Sequence, residues 1–480
     1  MRRVFLTNLA LVLVLNLLVK PFYILGIDAG VQDAVGSAAY GTYAALLSLS
    51  FLLNIVLDLG ITNYNTRHIA QHTQLMGKYI GGVAGLRVGL MGVYAVLTAA
   101  AGLWLGYRGA SLHILGWLIL NQALVASILY LRSNIAGAQR FRQDSLLSVL
   151  DRALLILVVG WLLWGRGTTA PMRIEWFVWA QTGAYVITLL VALVLALRLS
   201  GGVALRWRPA FNFMVVRQSL PYALLILLMS FYYRADMLMI ERLLPDGALQ
   251  AGIYAQGFRF FEAFNMLGYL LAALLLPIFS RMLGERSDVT PLATLAFRLV
   301  LAGALAVAVF ASMRAQPIMD LRYSEHTALS APAFAVLMWS FVAVCTTYVF
   351  GTLLTARGEL RKLNILAALG ALINIGLNLY VIPRWQVTGA AWVSLLVQGS
   401  TAVAQVVLVV RAMGVRLPTS LLIRTLLHVA GLAAALYLLN TLEWSVLLEL
   451  LLYVPLAVLL AFGTGMIRAA DLRKGGAWVR

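Results

Sequence analysis

The stretch QSLPYALLILLMSFYYRADMLMIERLLPDGALQAGIYAQGFRFFEAF, residues 218–264, decides the fold class. It reads as two apolar segments, each long enough to cross a bilayer as a helix, joined by a turn at Leu244-Pro245-Asp246-Gly247. The segments nevertheless carry Arg234, Asp236, Arg259 and Glu262. A charge at membrane depth costs about 2.5–3.5 kcal/mol on insertion scales, so such residues are rarely idle.

Outward from this hairpin the pattern repeats along all 480 residues. The chain is 62% hydrophobic and 11% charged, with a mean hydropathy of +0.90, far from the soluble range. Fourteen apolar runs of helix length are expected: 4–27, 38–60, 79–105, 111–131, 146–164, 175–198, 218–243, 248–279, 291–314, 331–356, 363–382, 387–410, 421–440 and 445–467. The fold class is therefore an all-α polytopic membrane protein. The first run follows Met1-Arg2-Arg3 and is too long for a signal peptide, so it reads as an uncleaved span. The single cysteine, Cys345, excludes an intramolecular disulfide.

The charge is biased to one side. With the N-terminus in the cytoplasm, 23 Lys and Arg fall in cytoplasmic segments, 7 in the opposite loops and 6 within spans. This asymmetry orients the chain and predicts cytoplasmic termini. The net charge of +18 then reflects topology and anionic lipid, and nucleic acid is not expected as a partner.

The two halves echo each other. A shift of 214 residues places Lys20 on Arg234, Tyr40 on Tyr254 and Arg67 on Arg281, and a short gap then brings Arg87 onto Arg298. Six spans per half make this a parallel repeat. The expected organisation is a six-helix bundle over 1–210, a second over 211–415, and two extra helices with a tail over 416–480.

The bases expected inside spans are Lys20, Arg87, Arg152, Arg234, Arg259 and Arg298. One reading is a cationic cavity, where Arg forks and a Lys point charge would hold phosphate. The other is snorkelling or internal pairing, which the neighbouring Asp151 favours for Arg152. Pro21 beside Lys20 should kink the first helix, and Asn8 and Asn16 add a polar stripe to it. Among the acids, Glu262 and Asp236 are candidates for coupling to a proton or another cation, and Glu262 is equally placed for an ion pair with Arg259 one turn away. Tyr222, Tyr232, Tyr233, Tyr254, Phe258 and Phe261 could stack on sugar faces or serve helix packing. There is no phosphate loop, no H-E-x-x-H and no Cys/His cluster, and the histidines are scattered, so neither a cofactor nor a metal is expected.

Two passages resemble a known family. They are Gly36-x-x-x-Tyr40-Gly41 with Asp58-Leu59-Gly60 and Asn65-Thr66-Arg67-x-Ile69-Ala70, and Leu220-Pro221-Tyr222 with Tyr233-Arg234-x-Asp236, Ala251-Gly252-x-Tyr254 and Arg259. The chain is similar to the polysaccharide transporter family of the MOP flippase superfamily, the Wzx-type O-antigen and exopolysaccharide flippases. The resemblance implies movement of an undecaprenyl-pyrophosphate-linked oligosaccharide across the bacterial inner membrane by alternating access. In that scheme Lys20, Arg87, Arg234 and Arg298, with Arg259, meet pyrophosphate or acidic sugar. The last two helices accommodate the prenyl tail, and a proton or sodium gradient drives the cycle, alongside the polysaccharide biosynthesis machinery. Rival readings are a lipid II flippase or a multidrug extruder of the same superfamily. From another class, a membrane polysaccharide polymerase or ligase would need a large outer loop, which the chain lacks.

Overall fold

A computed structural model describes residues 16, 18–62, 69, 76–138, 140–165, 171–200, 209–415 and 418–468. Asn8, Arg67, His68, His72 and the start of the first expected span lie outside the described residues, as do the loop bases Arg206, Arg208 and Arg416.

The described chain is helical, with no strand among the described residues. Helix α1 covers residues 18–35. The helices that follow are α2 (Ser37–Leu52, continued by Ile55–Asp58), α3 (Met76–Trp104), α4 (Gly109–Gly137), α5 (Phe141–Gly160), α6 (Ile174–Ser200), α7 (Pro209–Leu243), α8 (Gly247–Gly284) and α9 (Thr290–Met313). A short helix, Ala315–Arg322, leads to α10 (Thr327–Arg357). The run Leu360–Met413 is broken at Gln386, which follows Pro383 by three residues and has a φ of 48°; it forms α11 (360–385) and α12 (387–413). Last come α13 (Ser420–Asn440) and α14 (Val446–Gly463).

Twelve described helices are long and apolar enough to cross a membrane. One of them is the α11–α12 pair, so thirteen of the fourteen expected spans have a described counterpart, and most of the first, 4–27, lies outside the described residues. Large apolar side chains remain outward-facing, with Leu422 at 69%, Leu451 at 68% and Leu459 at 66% exposure. Such a surface is tolerable only in hydrocarbon, and this is a multi-pass membrane protein.

The chain divides into two compact units, Met1–Gly252 and Ile253–Arg480. In the first, α1 does not run straight. Pro21 offers no backbone donor, and the next turn widens into a π-helical segment, Tyr23–Asp28. Gly36, at φ 82°, then turns the chain into α2. The start of α2 meets the start of α8 backbone to backbone. A Cβ on Gly41 would lie 1.8 Å from the Ala248 carbonyl oxygen, and one on Gly252 would lie 1.9 Å from that of Ser37. Ser37-x-x-x-Gly41 thus packs on Ala248-x-x-x-Gly252, the small-residue device by which helices approach closely in lipid. The Gln32 amide donates to the Gly252 carbonyl at 2.7 Å and fixes the contact.

In the second unit α13 and α14 pack on α9. Leu301, Leu305, Val309, Phe310, Leu432, Leu436 and Tyr453 form one buried cluster. Polar pins reinforce it. Tyr453 donates to the Ala306 carbonyl at 3.0 Å, and His428 Nε2 lies 3.4 Å from that of Ala302. Glu449 has no exposed surface and is met by Arg314, with Nε at 2.7 Å and Nη2 donating at 2.9 Å. Arg314 also donates to Asn440, so one guanidinium ties the end of α13 to the start of α14.

The close approach of α2 and α8 generates a test. Gly41→Ala puts a methyl where only backbone could yield and is expected to cost about 1–3 kcal/mol, the range for overpacking, with a lower Tm in detergent. Gly89→Ala, where a Cβ meets nothing within 4 Å, should leave Tm unchanged or raised.

Candidate functional site

Of the residues expected from the sequence to form a site, each lies on a described helix, and they separate by what surrounds them. Arg87 on α3 is 4% exposed and heavily engaged. Its Nη1 donates to Asp58 at 3.1 Å and its Nη2 to the Ala126 carbonyl at 2.7 Å, while the guanidinium lies 4.5 Å over the Tyr130 ring. Asp58 in turn accepts from the Thr62 amide at 3.2 Å and from its hydroxyl. Asp58 sits at this spot because α2 ends there: Leu59 and Gly60 both take positive φ and turn the chain. Charge and donors are thereby balanced across α2, α3 and α4.

Arg234 on α7 is half-buried and lies 4.5 Å over the Phe51 ring, at the end of the main run of α2. The aromatic face partly compensates its desolvation. Asp236, two residues on, is 2% exposed. In the second unit Arg259 and Glu262 on α8 form an ion pair one helical turn apart. Arg298 on α9 is 6% exposed. The aromatics of the central stretch are mostly buried against one another: Tyr232 and Tyr233 are 5.1 Å apart by ring centroids, Tyr254 and Phe258 are 5.9 Å apart, and Phe258 and Phe261 are 5.5 Å apart.

Lys20 on α1 is half-buried, and among the described residues it makes neither an ion pair nor a hydrogen bond. Around it lies a constellation that sequence reasoning did not assemble. Arg152 on α5 stacks 4.6 Å over Tyr23 and 5.9 Å from Tyr185, donates to the Tyr185 hydroxyl at 3.3 Å, and has Nε 3.5 Å from Asp151. Nearby, Tyr40 donates to Asp28 at 2.8 Å, and Gln181 donates to the Tyr43 hydroxyl at 2.9 Å. The signal available in the sequence was the spacing of Asn16, Lys20 and Tyr23 on one face of α1. It did not reveal which helix lay opposite.

A further polar knot closes one end of the first unit. The Tyr107 hydroxyl donates to Glu241 at 2.9 Å, and Arg242 both pairs with Glu241 at 2.7 Å and covers the Tyr107 ring at 3.5 Å. Burial first, and then the Glu241 charge, push the Tyr107 hydroxyl above the usual phenol range, so it remains a donor. Among the described residues no three of His, Cys, Asp or Glu come together as a metal site.

With this geometry in place, known proteins provide a frame. Residues 8–283 match the family of polysaccharide biosynthesis proteins. No curated protein matches the chain in sequence. Among solved structures, the lipid II flippase MurJ in an inward closed conformation aligns with a TM-score of 0.71 at 10% identity, over 94% of this chain and 97% of that one. The Vibrio cholerae MATE transporter VcmN aligns at 0.60 and 16% identity, over 85% and 98% of the two chains. A MOP-superfamily transporter from Pyrococcus furiosus, described as having a binding pocket of reverse polarity, aligns at 0.56 and 16%, over 84% and 93%. At these identities the likeness is one of fold.

The Arg87 environment yields an expectation. Asp58→Asn leaves a buried guanidinium without its counter-charge and should cost about 3 kcal/mol, near the low end for a broken buried pair because Asp58 is partly exposed. Replacing both partners, Arg87→Met with Asp58→Leu, should recover most of that loss in thermal unfolding.

Proposed function

We propose, from the premise that this chain belongs to the polysaccharide biosynthesis protein family, that it is a flippase for lipid-linked oligosaccharide. The lipid carrier is undecaprenyl pyrophosphate, and the movement is from the cytoplasmic to the outer leaflet of the bacterial inner membrane. The chain belongs with transporters of the MOP type rather than with enzymes. The observation that carries the substrate class is the sign of the charge at membrane depth. Arg87, Arg152, Arg234, Arg259 and Arg298 lie on helices of spanning length and Lys20 on α1, and a basic interior suits an anionic pyrophosphate or acidic sugar. A cavity for cationic drugs would call for the opposite sign, which disfavours the extruder reading.

In this reading the repeats over 1–210 and 211–415 alternate access, and 416–480 serves the prenyl tail. Lys20 and Arg234, both half-buried, meet the substrate, together with Arg298 and Arg259. Arg87, being balanced by Asp58, chiefly sets the local field and holds α2, α3 and α4 together. Glu262 and Asp236 are the groups that couple the cycle to a proton or sodium gradient, with the Arg259–Glu262 pair opening when Glu262 takes up the ion. Both termini are cytoplasmic, and the polysaccharide biosynthesis machinery supplies the substrate.

Reconstituted proteoliposomes test this. A labelled prenyl-pyrophosphate oligosaccharide on one side should appear on the other in a protein-dependent manner, and faster with an imposed gradient. Arg234→Ala should lower that rate by about tenfold or more, the loss of roughly one charge-assisted contact, with its Tm retained. No translocation by folded wild-type protein with any of several head groups would overturn the reading, and an unaffected Arg234→Ala protein would remove that residue from the path.

A further inference from the structure

Helices α1 and α5 run side by side in the same direction. Asn16 donates to Ser148 at 3.2 Å, Tyr23 stacks on Arg152 at 4.6 Å, and Ile27 reaches to 3.6 Å from where a Cβ on Gly160 would stand. The contacts climb both helices together. Lys20 lies one turn beyond Asn16, and Arg152 lies one turn beyond Ser148, so the two bases occupy the same level.

Like charges brought to one level within a membrane helix pair repel and lose hydration. Their neighbours only partly relieve this. The charges around Lys20 are those of Arg152, Arg132, Asp151 and Asp144. Arg132 is matched by Asp144 at 2.8 Å, and Arg152 has Asp151 at 3.5 Å. Among the described residues these two acids are taken by Arg132 and Arg152, and Lys20 has no carboxylate of its own. Asp28, eight residues beyond Lys20 and about 12 Å along the axis, is engaged by the Tyr40 hydroxyl.

The donors are also in excess. Arg152 spends Nη1 on Tyr185 and directs Nε toward Asp151, and its Nη2 has no acceptor among the described residues. The Lys20 ammonium has none for its three protons. Neither side chain is sealed: Lys20 is half-buried and the Arg152 side chain is 27% exposed. The Arg152 plane is held by the Tyr23 and Tyr185 rings, so the guanidinium is fixed before any ligand arrives. The π-helical turn Tyr23–Asp28 begins at the ring that holds it.

We propose that Lys20 and Arg152 form a two-pronged anion site in the first unit, which takes a phosphate or pyrophosphate group. Arg152 supplies an oriented donor from the aromatic clamp, and Lys20 supplies an adjustable point charge opposite it. The flippase reading supplies the identity of the carrier of that phosphate, whereas the site itself follows from the two helices.

The test uses the full-length protein in nanodiscs of zwitterionic lipid, titrated with inorganic pyrophosphate, a short-chain prenyl pyrophosphate or phosphatidylglycerol. Wild type is expected to bind at least one of these, with Lys20→Gln and Arg152→Gln each weakening Kd by about tenfold, the loss of one charged hydrogen bond. Arg152→Lys should recover part of the loss, since it keeps the charge and loses the fork. Lys20→Gln has no partner to strand, so its Tm should stay at the wild-type value and separate binding from folding. A preference for the prenyl pyrophosphate identifies lipid-linked substrate as the source, equal binding of inorganic pyrophosphate identifies the bare anion, and selective phosphatidylglycerol binding identifies a membrane headgroup. Unchanged Kd in a folded Lys20→Gln protein, or no binding by wild type, overturns the site. Translocation by the same purified proteins reconstituted in proteoliposomes keeps the two readings apart: transport with Lys20-independent binding sinks the site alone, and Lys20-dependent binding without transport sinks the flippase alone.

Discussion

The constraint on which this structure depends is that hydrocarbon offers no hydrogen bonds and little dielectric screening. A charge carried into the helices therefore calls for compensation from other side chains or from backbone, and a charge left without it, as at Lys20, stands out. The chain answers in three ways. Arg87 and Arg259 are given carboxylates, Asp58 and Glu262. Arg234 lies on the face of Phe51, and Arg152 on those of Tyr23 and Tyr185. Arg314 is used as a rivet, holding buried Glu449 and Asn440 at once.

The same environment explains how the helices hold each other. Lipid tails are as apolar as Leu, so burial of apolar surface does not by itself drive helices together. Close backbone approach and polar pins take over that role. The α2–α8 contact through Gly41 and Gly252 is of the first kind. The attachment of α13 and α14 to α9 combines a buried apolar cluster with the second kind, through Tyr453, His428 and Glu449. The last two helices therefore stand firmly on their own unit and do not hang loosely in lipid.

Much of this was legible in the sequence, because membrane helices announce themselves by length and composition alone. The Pro-Asp-Gly turn after Leu244 separates α7 from α8 as read, and the break between the eleventh and twelfth spans falls at Gln386. Pairing within one helix was equally legible: Arg259 and Glu262 are three residues apart and do meet. Pairing between helices was not. Nothing local to Arg87 names Asp58, 29 residues away, and nothing near Arg314 names Glu449, 135 residues away. Lys20 and Pro21 were visible as a polar, kinked spot, yet the side chain facing them was hidden, and Arg152 read as one more base held by its neighbour Asp151. That neighbour does stand 3.5 Å away, but the guanidinium's main surroundings are the rings of Tyr23 and Tyr185.

Arg87 and Arg152 differ in how their charge is met, and the proposed anion site rests on that difference. Both are bases on spanning helices, and both lie against tyrosine rings. Arg87 has a carboxylate at hydrogen-bond distance and a backbone carbonyl for its second nitrogen, so adding an anion there would mean displacing Asp58. Arg152 has a more distant carboxylate, a phenol that takes one of its donors, and a second base at its level. An aromatic ring offsets the cost of burying a cation without cancelling its charge or saturating its donors. The choice of ring over carboxylate as the main partner therefore leaves the charge available, and it is this choice, rather than the number of buried bases, on which the proposed anion site turns.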